Sequence, residues 1–276
     1  MPTCSFCGRS TGGQIAFHDA CQERHHKATL AIPGFFRRIL DSEISASRFA
    51  QLLHEAAEAS FVGAEEFNAL CLRGASDLVG DILARRLVTE TEEQRLGEIL
   101  ENLNPDLLQS PGLVTLFAKN EILRALDDGR VPNCVEVVGE MPLPLRKTEA
   151  VLWIFNKARA ASSGQRPIAP EATPPPLTGT YYANVAFTAR DRNAKPKGKT
   201  GDLVLTNYNI FFVRSPAEHR RFPISRITGL RAHVDAVDIR YANRILTFAV
   251  ADPWFLANAL VFLSRRLRGV NEHGGP

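Results

Sequence analysis

Long apolar runs are missing from this chain of 276 residues, although 45% of it is hydrophobic. No stretch approaches the ~20 apolar residues that cross a bilayer as a helix. The opening Met1-Pro2-Thr3-Cys4 has neither the charged region nor the apolar segment of a secretory signal. No Walker-type phosphate loop is present, and Gly12-Gly13 reads as a turn. His54, His219 and His233 are scattered singly, so no nucleophile–base pair or paired carboxylate emerges from the pattern. Asp127-Asp128-Gly129 reads as a turn, because no further oxygen ligands follow at regular spacing. The expectation is a non-enzymatic protein with no transmembrane segment. Cysteine is scarce too, at five. Cys71 and Cys134 stand alone and read as small apolar core residues.

The other three cysteines are grouped. Cys4, Cys7, His18 and Cys21 read Cys-x2-Cys, ten residues, then His-x2-Cys. Two close pairs of soft ligands with a loop between them can surround one tetrahedral Zn2+. Phe6 and Gly8 suit a tight turn in the first pair, since glycine tolerates a left-handed backbone. A Cys3His set leaves no position for water, which marks a structural ion and not a catalytic one. The competing reading is ordinary buried thiols or a redox pair, and the coincidence of both spacings favours zinc. His25 and His26 follow closely and are alternative fourth ligands. They rank below His18, because Gln22 to Ala31 reads as a helix whose first turn alone would face the metal. Reduced thiols, zinc ligands and no export signal together favour a cytoplasm, and a cytoplasmic chain is the expectation.

Net charge is only +3 but unevenly spread. Residues 1–145 hold 13 Lys/Arg against 21 Asp/Glu, whereas residues 146–276 hold 20 against 9. A basic C-terminal half can meet an anionic surface or the chain's own acidic half, and charge alone does not separate the two.

Three segments follow. A zinc module occupies residues 1–31, after which Ile32-Pro33-Gly34 breaks the helix. Residues 35–132 read as a helical bundle. Phe49, Leu52, Leu53 and Ala56 keep helical spacing, as do Phe67, Leu70, Cys71 and Gly74, and then Leu78, Val79, Ile82 and Leu83. Thr89 and Glu92 form a capping-box pattern ahead of Leu96, Ile99, Leu100 and Leu103, with Pro105 as the limit. Leu113, Leu116, Phe117 and Ile122 to Leu126 make the last helix. Residues 133–268 change period. Val135, Val137, Val138 and the run Val151 to Phe155 are strand-like, and Ala160 to Pro176 reads as a flexible Pro/Ala-rich loop. Short strands follow from Tyr181, with turns at Asn207 and Ala242-Asn243. Asp252-Pro253 opens a helix that Asp252 is placed to cap, with Phe255, Leu256, Ala259, Leu260 and Leu263 on its apolar side. Residues 269–276 read as a disordered tail.

Gly201-Asp202-Leu203-Val204-Leu205-Thr206 followed by Ile210-Phe211-Phe212-Val213 resembles a passage of bacterial pleckstrin-homology-like domains. Phe222-Pro223-Ile224-Ser225-Arg226-Ile227 resembles their next strand, and Phe248 to Trp254 their entry into a closing helix. Pro144 to Glu149 and Leu152 to Phe155 look like the start of the same domain, so the resemblance covers about residues 142–268. The helical segment is similar to the tellurite-resistance-B-like bundle at Val88 to Leu96. Arg85 and Arg86 stand where that family has acidic residues, which puts any metal role of that loop in doubt. Cys4 to Ser10 looks like the zinc-binding domain of Clp-type unfoldases, which has cysteine where this chain has His18. These resemblances imply an α+β multidomain chain: a small zinc-ribbon-like module, an α-helical bundle, and a pleckstrin-homology-like β-barrel or sandwich closed by a C-terminal helix. They imply no assigned activity. The leading expectation is a non-enzymatic adaptor that binds a partner protein, with sheet edges and the groove beside the closing helix suited to peptide docking. The first alternative is contact with anionic lipid head groups through Arg190, Arg192, Lys195, Lys197 and Lys199 in the basic stretch 190–199. The second is nucleic-acid binding, which is disfavoured because no aromatics interleave with that stretch.

Overall fold

The computed structural model describes residues 2–12, 16–40, 42–132, 143–162, 177, 181, 198–215 and 217–269. Among these residues it contains six α-helices and a seven-stranded antiparallel sheet, an α+β chain. The chain divides into two compact units, residues 1–83 with 88–117 and residues 84–87 with 118–276. Residues 1–31 fall in the first unit, and the division falls inside the last helix before the sheet.

The first unit is built on α1 (Asp19–Phe35), α2 (Ala46–Ala59), α3 (Ala64–Leu83), α4 (Glu90–Leu103) and the start of α5 (Pro111–Asp127). Here α1 packs along α3, and α2 along α4. The apolar stripes read from the sequence face inward at Phe49, Leu53, Phe67, Cys71, Leu78, Val79, Leu96, Ile99 and Leu100, all buried. Leu52, in the same stripe as Phe49, stays partly exposed, and Ala57 takes a buried place beside Leu53. Thr89 Oγ1 accepts from the Glu92 amide while Glu92 accepts from the Thr89 amide, so the capping box is present. Pro105 opens a 3-10 turn, Pro105–Gln109, directly after α4. The Arg95 guanidinium donates to the carbonyls of Ile39, Ser42 and Ile44, pinning the chain between α1 and α2 to α4.

Pro33 does not break α1. The helix runs through it to Phe35 and tightens into a 3-10 turn, Phe36–Arg38. A proline inside a helix removes one amide donor and crowds the carbonyl four residues before it, a local penalty. Burial holds that last turn in place. Ile32 and Phe36 are fully enclosed, and Gly74 of α3 lies so close that a Cβ there would sit 2.5 Å from Phe36 Cδ2 and 2.9 Å from Pro33 Cα.

The second unit holds β1 (Val151–Ser162), β2 (Lys199–Thr206), β3 (Asn209–Ser215), β4 (Glu218–Pro223), β5 (Ile227–Ala232), β6 (Ala236–Tyr241), β7 (Arg244–Ala249) and α6 (Pro253–Leu267). Strand order is β4-β3-β2-β1-β7-β6-β5. The long β1 pairs with β2 and, at its far end, with β7. A register shift between Phe155 and Ala158, with Lys157 at φ +56°, bends β1 between its partners. β4 and β5 are joined by a 3-10 turn, Ile224–Arg226, without pairing to each other, so the sheet is not closed among the described residues. Ala160 to Ser162, expected in a flexible loop, are strand residues instead. The rest of that loop, Val135, Val137, Val138, Cys134 and the tail beyond Gly269 lie outside the described residues.

Alternation sets the two faces of the sheet. Leu203, Leu205, Ile210 and Phe212 point into the main core with Leu246, Phe248 and α6, whereas Val204 and Phe211 join Val151 on the other face. Gly201 is required by sheet packing, because a Cβ there would collide with the Val213 carbonyl. Every residue of α6 from Phe255 to Ser264 is buried, including Asn258 and Ser264. Ile122, Leu123 and Leu126 of α5 belong to the same core. Lys119 pairs with Asp252 at the start of α6, and Asp127 with Arg265 near its end, so the second half of α5 runs along α6 in the same direction. That half-helix lies beside α6, where the sequence suggests a groove for peptide docking.

Candidate metal centre

The N-terminal ligands are set by a tight turn and a helix start. Thr3 and Ser10 form an antiparallel bridge, the Cys4 amide donates to the Arg9 carbonyl at 2.8 Å, and the Gly8 amide donates to the Cys4 carbonyl at 2.9 Å. Gly8 has φ +70°, the left-handed conformation expected of a glycine at this turn. The Ser5 amide donates to the Ala16 carbonyl at 2.9 Å and brings the second ligand pair back to the first. His18 is the N-cap of α1, and Cys21 lies in its first turn, where the helix dipole favours a thiolate.

One ligand atom from each of Cys4, Cys7, His18 and Cys21 lies within 4.8 Å of all the others. This is the cluster of possible metal ligands found among the described residues. His18 Nδ1 is 3.4 Å from Cys7 Sγ and 3.8 Å from Cys21 Sγ. On the other side of the ring, His18 Nε2 donates to the Ser10 carbonyl at 3.0 Å. That bond fixes the tautomer and leaves the Nδ1 lone pair facing the thiols, the arrangement a ligating imidazole needs.

The thiols do not ionise alike. Burial opposes ionisation of Cys4, but the amides of Cys7, His18 and Phe6 donate toward it and bring it down to about 6. The His18 amide reaches Cys4 Sγ at 3.4 Å. Burial pushes Cys21 up to about 11, and crowding by Cys7 and Cys4 adds to the effect. The Ser10 carbonyl, then the Cys7 sulfur, raise His18 above its usual value. Three thiols this close cannot all carry charge unless a cation sits among them. Three sulfurs and one nitrogen are the donor set of a closed tetrahedral site, so the residues fit a structural ion.

His25 and His26 are not in the cluster. His25 Nε2 contacts Glu66 Oε2 at 2.9 Å, and its ring lies 4.9 Å from Phe6, one of the two residues between Cys4 and Cys7. His26 is exposed on the helix. The other histidines have separate surroundings. His54 rests against Phe67, His219 near Phe211, and His233 Nε2 bonds Asp238, which also accepts from Thr247. Asp128 and Gly129 form a turn, and Asp127 holds Arg265. Cys71 is fully buried, and burial pushes its thiol up to about 12.

Of the basic stretch, Arg190, Arg192, Lys195 and Lys197 lie outside the described residues. Lys199 opens β2, with its Nζ 3.7 Å from Glu218, a carboxylate it shares with Arg214. The Arg214 guanidinium, with Lys199 and Arg220 as further cations, holds the Glu218 carboxyl below its usual range.

Two polar arrangements have no local signal in the sequence. Lys119 is buried with Nζ 2.7 Å from Asp252 Oδ2 and 5.2 Å from the centre of the Trp153 ring. Glu149, also buried, accepts from Thr206 Oγ1 and Asn209 Nδ2, both at 2.6 Å. Partners 57 to 133 residues apart leave no trace in spacing.

No helix among the described residues is long and apolar enough to cross a membrane. No family model, curated protein or solved structure matches the chain.

Proposed function

We propose that this chain is a non-enzymatic adaptor of the cytoplasm that holds a structural Zn2+ in its Cys3His cluster and binds a partner protein. The gathering of Cys4, Cys7, His18 and Cys21 ligand atoms within 4.8 Å carries the zinc reading. All four ligands come from the protein, which suits an ion that stabilises structure and does no chemistry. The partner reading draws on apolar side chains left in water on the helical unit: Leu30, Phe35, Ile44 and Leu52. The last three border a groove of about 390 Å3 between α1 and α2. Domain resemblance supports the same picture. A sheet in the order β4-β3-β2-β1-β7-β6-β5 with one packed C-terminal helix is compatible with a pleckstrin-homology-like domain. The helices of the first unit are compatible with a tellurite-resistance-B-like bundle beside a zinc-ribbon-like module. A pulldown with the full chain from native lysate should recover one stoichiometric protein, lost when Phe35 and Leu52 are both replaced by Glu. Equal recovery by both chains, or none by either, contradicts the partner reading.

Contact with anionic lipid head groups is a second reading, favoured by one feature. Lys199, Arg214 and Arg220 line a cavity of about 60 Å3 with Phe212, Phe222 and Phe248, and Glu218, which pairs with Lys199 and Arg214, lines it too. Salt-sensitive sedimentation with acidic liposomes, abolished by Lys195, Lys197 and Lys199 to Glu, is its expected signature. Sedimentation that does not depend on these lysines contradicts it.

A further inference from the structure

We propose that metal occupancy at the Cys3His cluster controls the folding of α1 and of its packing against α3, and so reaches well beyond residues 1–31. The inference rests on the reading of the cluster as a metal site.

α1 is a single helix that carries ligands at one end and core residues at the other. His18 and Cys21 stand at its start, and Ile32 and Phe36 are fully buried at its finish. At 1.5 Å per residue the helix carries the cluster's position about 16 Å to Ile32. Burial within the helix itself is sparse. Only Ala28 and Ile32 are buried within α1, against eight residues of α3. Its N-cap makes no side-chain capping bond, because the His18 ring is turned toward the thiols. It also contains Pro33. In proteins most of a helix's stability comes from packing of its apolar face, and α1 has little of that surface. A metal gripping both the N-cap and the first turn replaces the missing cap and fixes the helix where it starts.

The load passes to α3 by two routes. Near the cluster, His25 bonds Glu66 and its ring lies tilted against Phe6. At the far end, Pro33 and Phe36 close over Gly74, one turn from the buried Cys71. If α1 frays, both contacts go and that face of α3 meets water.

The test is hydrogen exchange with peptide-resolved thiol labelling on the full chain, as purified, after excess EDTA, and after re-addition of Zn2+. Metal content is measured on each sample. On metal loss, amides of residues 22–35 and 64–83 should exchange at least tenfold faster and Cys71 should become labelled. Strands β2–β7 should be unchanged, and Zn2+ should restore protection. If the metal leaves while residues 64–83 keep their protection and Cys71 stays unlabelled, the linkage is overturned although the metal site stands. If the chain neither contains metal nor binds added Zn2+, the site reading itself falls and this proposal with it. Ala28→Gly leaves every ligand in place and softens the middle of α1. It should bind Zn2+ with unchanged stoichiometry yet transmit less protection to α3. An undiminished gain in α3 would show that α1 is not the link.

Discussion

Replacing Gly74 with alanine tests the close approach of α1 and the turn after it to α3. In an exposed helix the change adds up to ~1 kcal/mol of stability, because alanine loses less backbone entropy on folding. At Gly74 the new methyl would lie 2.5 Å from Phe36 Cδ2 and 2.9 Å from both the Cα and the carbonyl oxygen of Pro33. Phe36 is fully buried and cannot swing aside, and two of the three contacts are backbone. The helices must separate by several tenths of an ångström or more, and overpacking of this kind costs ~1–3 kcal/mol. Contact with backbone puts the cost toward the upper end, so a net loss of about 1–2 kcal/mol remains after the propensity gain. Gly80 is the internal control. It lies in the same helix, is exposed, and a Cβ there meets nothing within 4 Å. Gly80→Ala should therefore stabilise by up to ~1 kcal/mol. Urea unfolding followed by helical circular dichroism reads both variants against the parent chain. Gly74→Ala as stable as Gly80→Ala, or more so, would refute the packing of α1 on α3.

Asp252→Ala should destabilise the second unit more than Lys119→Met, in chemical denaturation. Removing the carboxylate strands a buried ammonium at about 2 kcal/mol, less than the ~3–5 kcal/mol of a fully buried pair because Asp252 faces water and aromatic rings flank Lys119. Lys119→Met leaves only an exposed carboxylate, and the reverse order of stabilities would discredit the burial of Lys119. Tyr181 is pushed up to about 12 by burial, partly offset by the bond that Trp254 Nε1 donates to its hydroxyl. Its raised value stabilises the fold at pH below the usual tyrosine value of ~10 and is lost as pH climbs toward 12. Phenolate absorbance should include a transition near pH 12 that Tyr181→Phe removes, and a Tyr181→Phe difference titrating at the usual tyrosine value would refute its burial.

The metal cluster was legible because its information is local: two ligand pairs at fixed spacing, with Gly8 directly after Cys7 closing the turn that carries the first pair. Preference for His18 over His25 followed from helix geometry, since α1 starts at Asp19 and carries His25 a turn beyond the cluster. The stripes of α3 and α4 and the capping box were readable for the same reason. Pro33 misled because a proline's local penalty was outweighed by burial of Ile32 and Phe36, which spacing does not reveal. Asp252 precedes Pro253 as a cap should, yet its carboxylate goes to Lys119, a residue 133 positions away. Placement of the second half of α5 along α6 was hidden likewise, since the periodicity of Ile122 to Leu126 gives an apolar face and not its partner.

X-ray absorption at the zinc edge of the purified full chain tests the central claim most directly. One zinc per chain with three sulfur neighbours and one nitrogen neighbour is the result predicted by Cys4, Cys7, His18 and Cys21. Metal-free protein, or zinc surrounded by oxygen and nitrogen without sulfur, would contradict it.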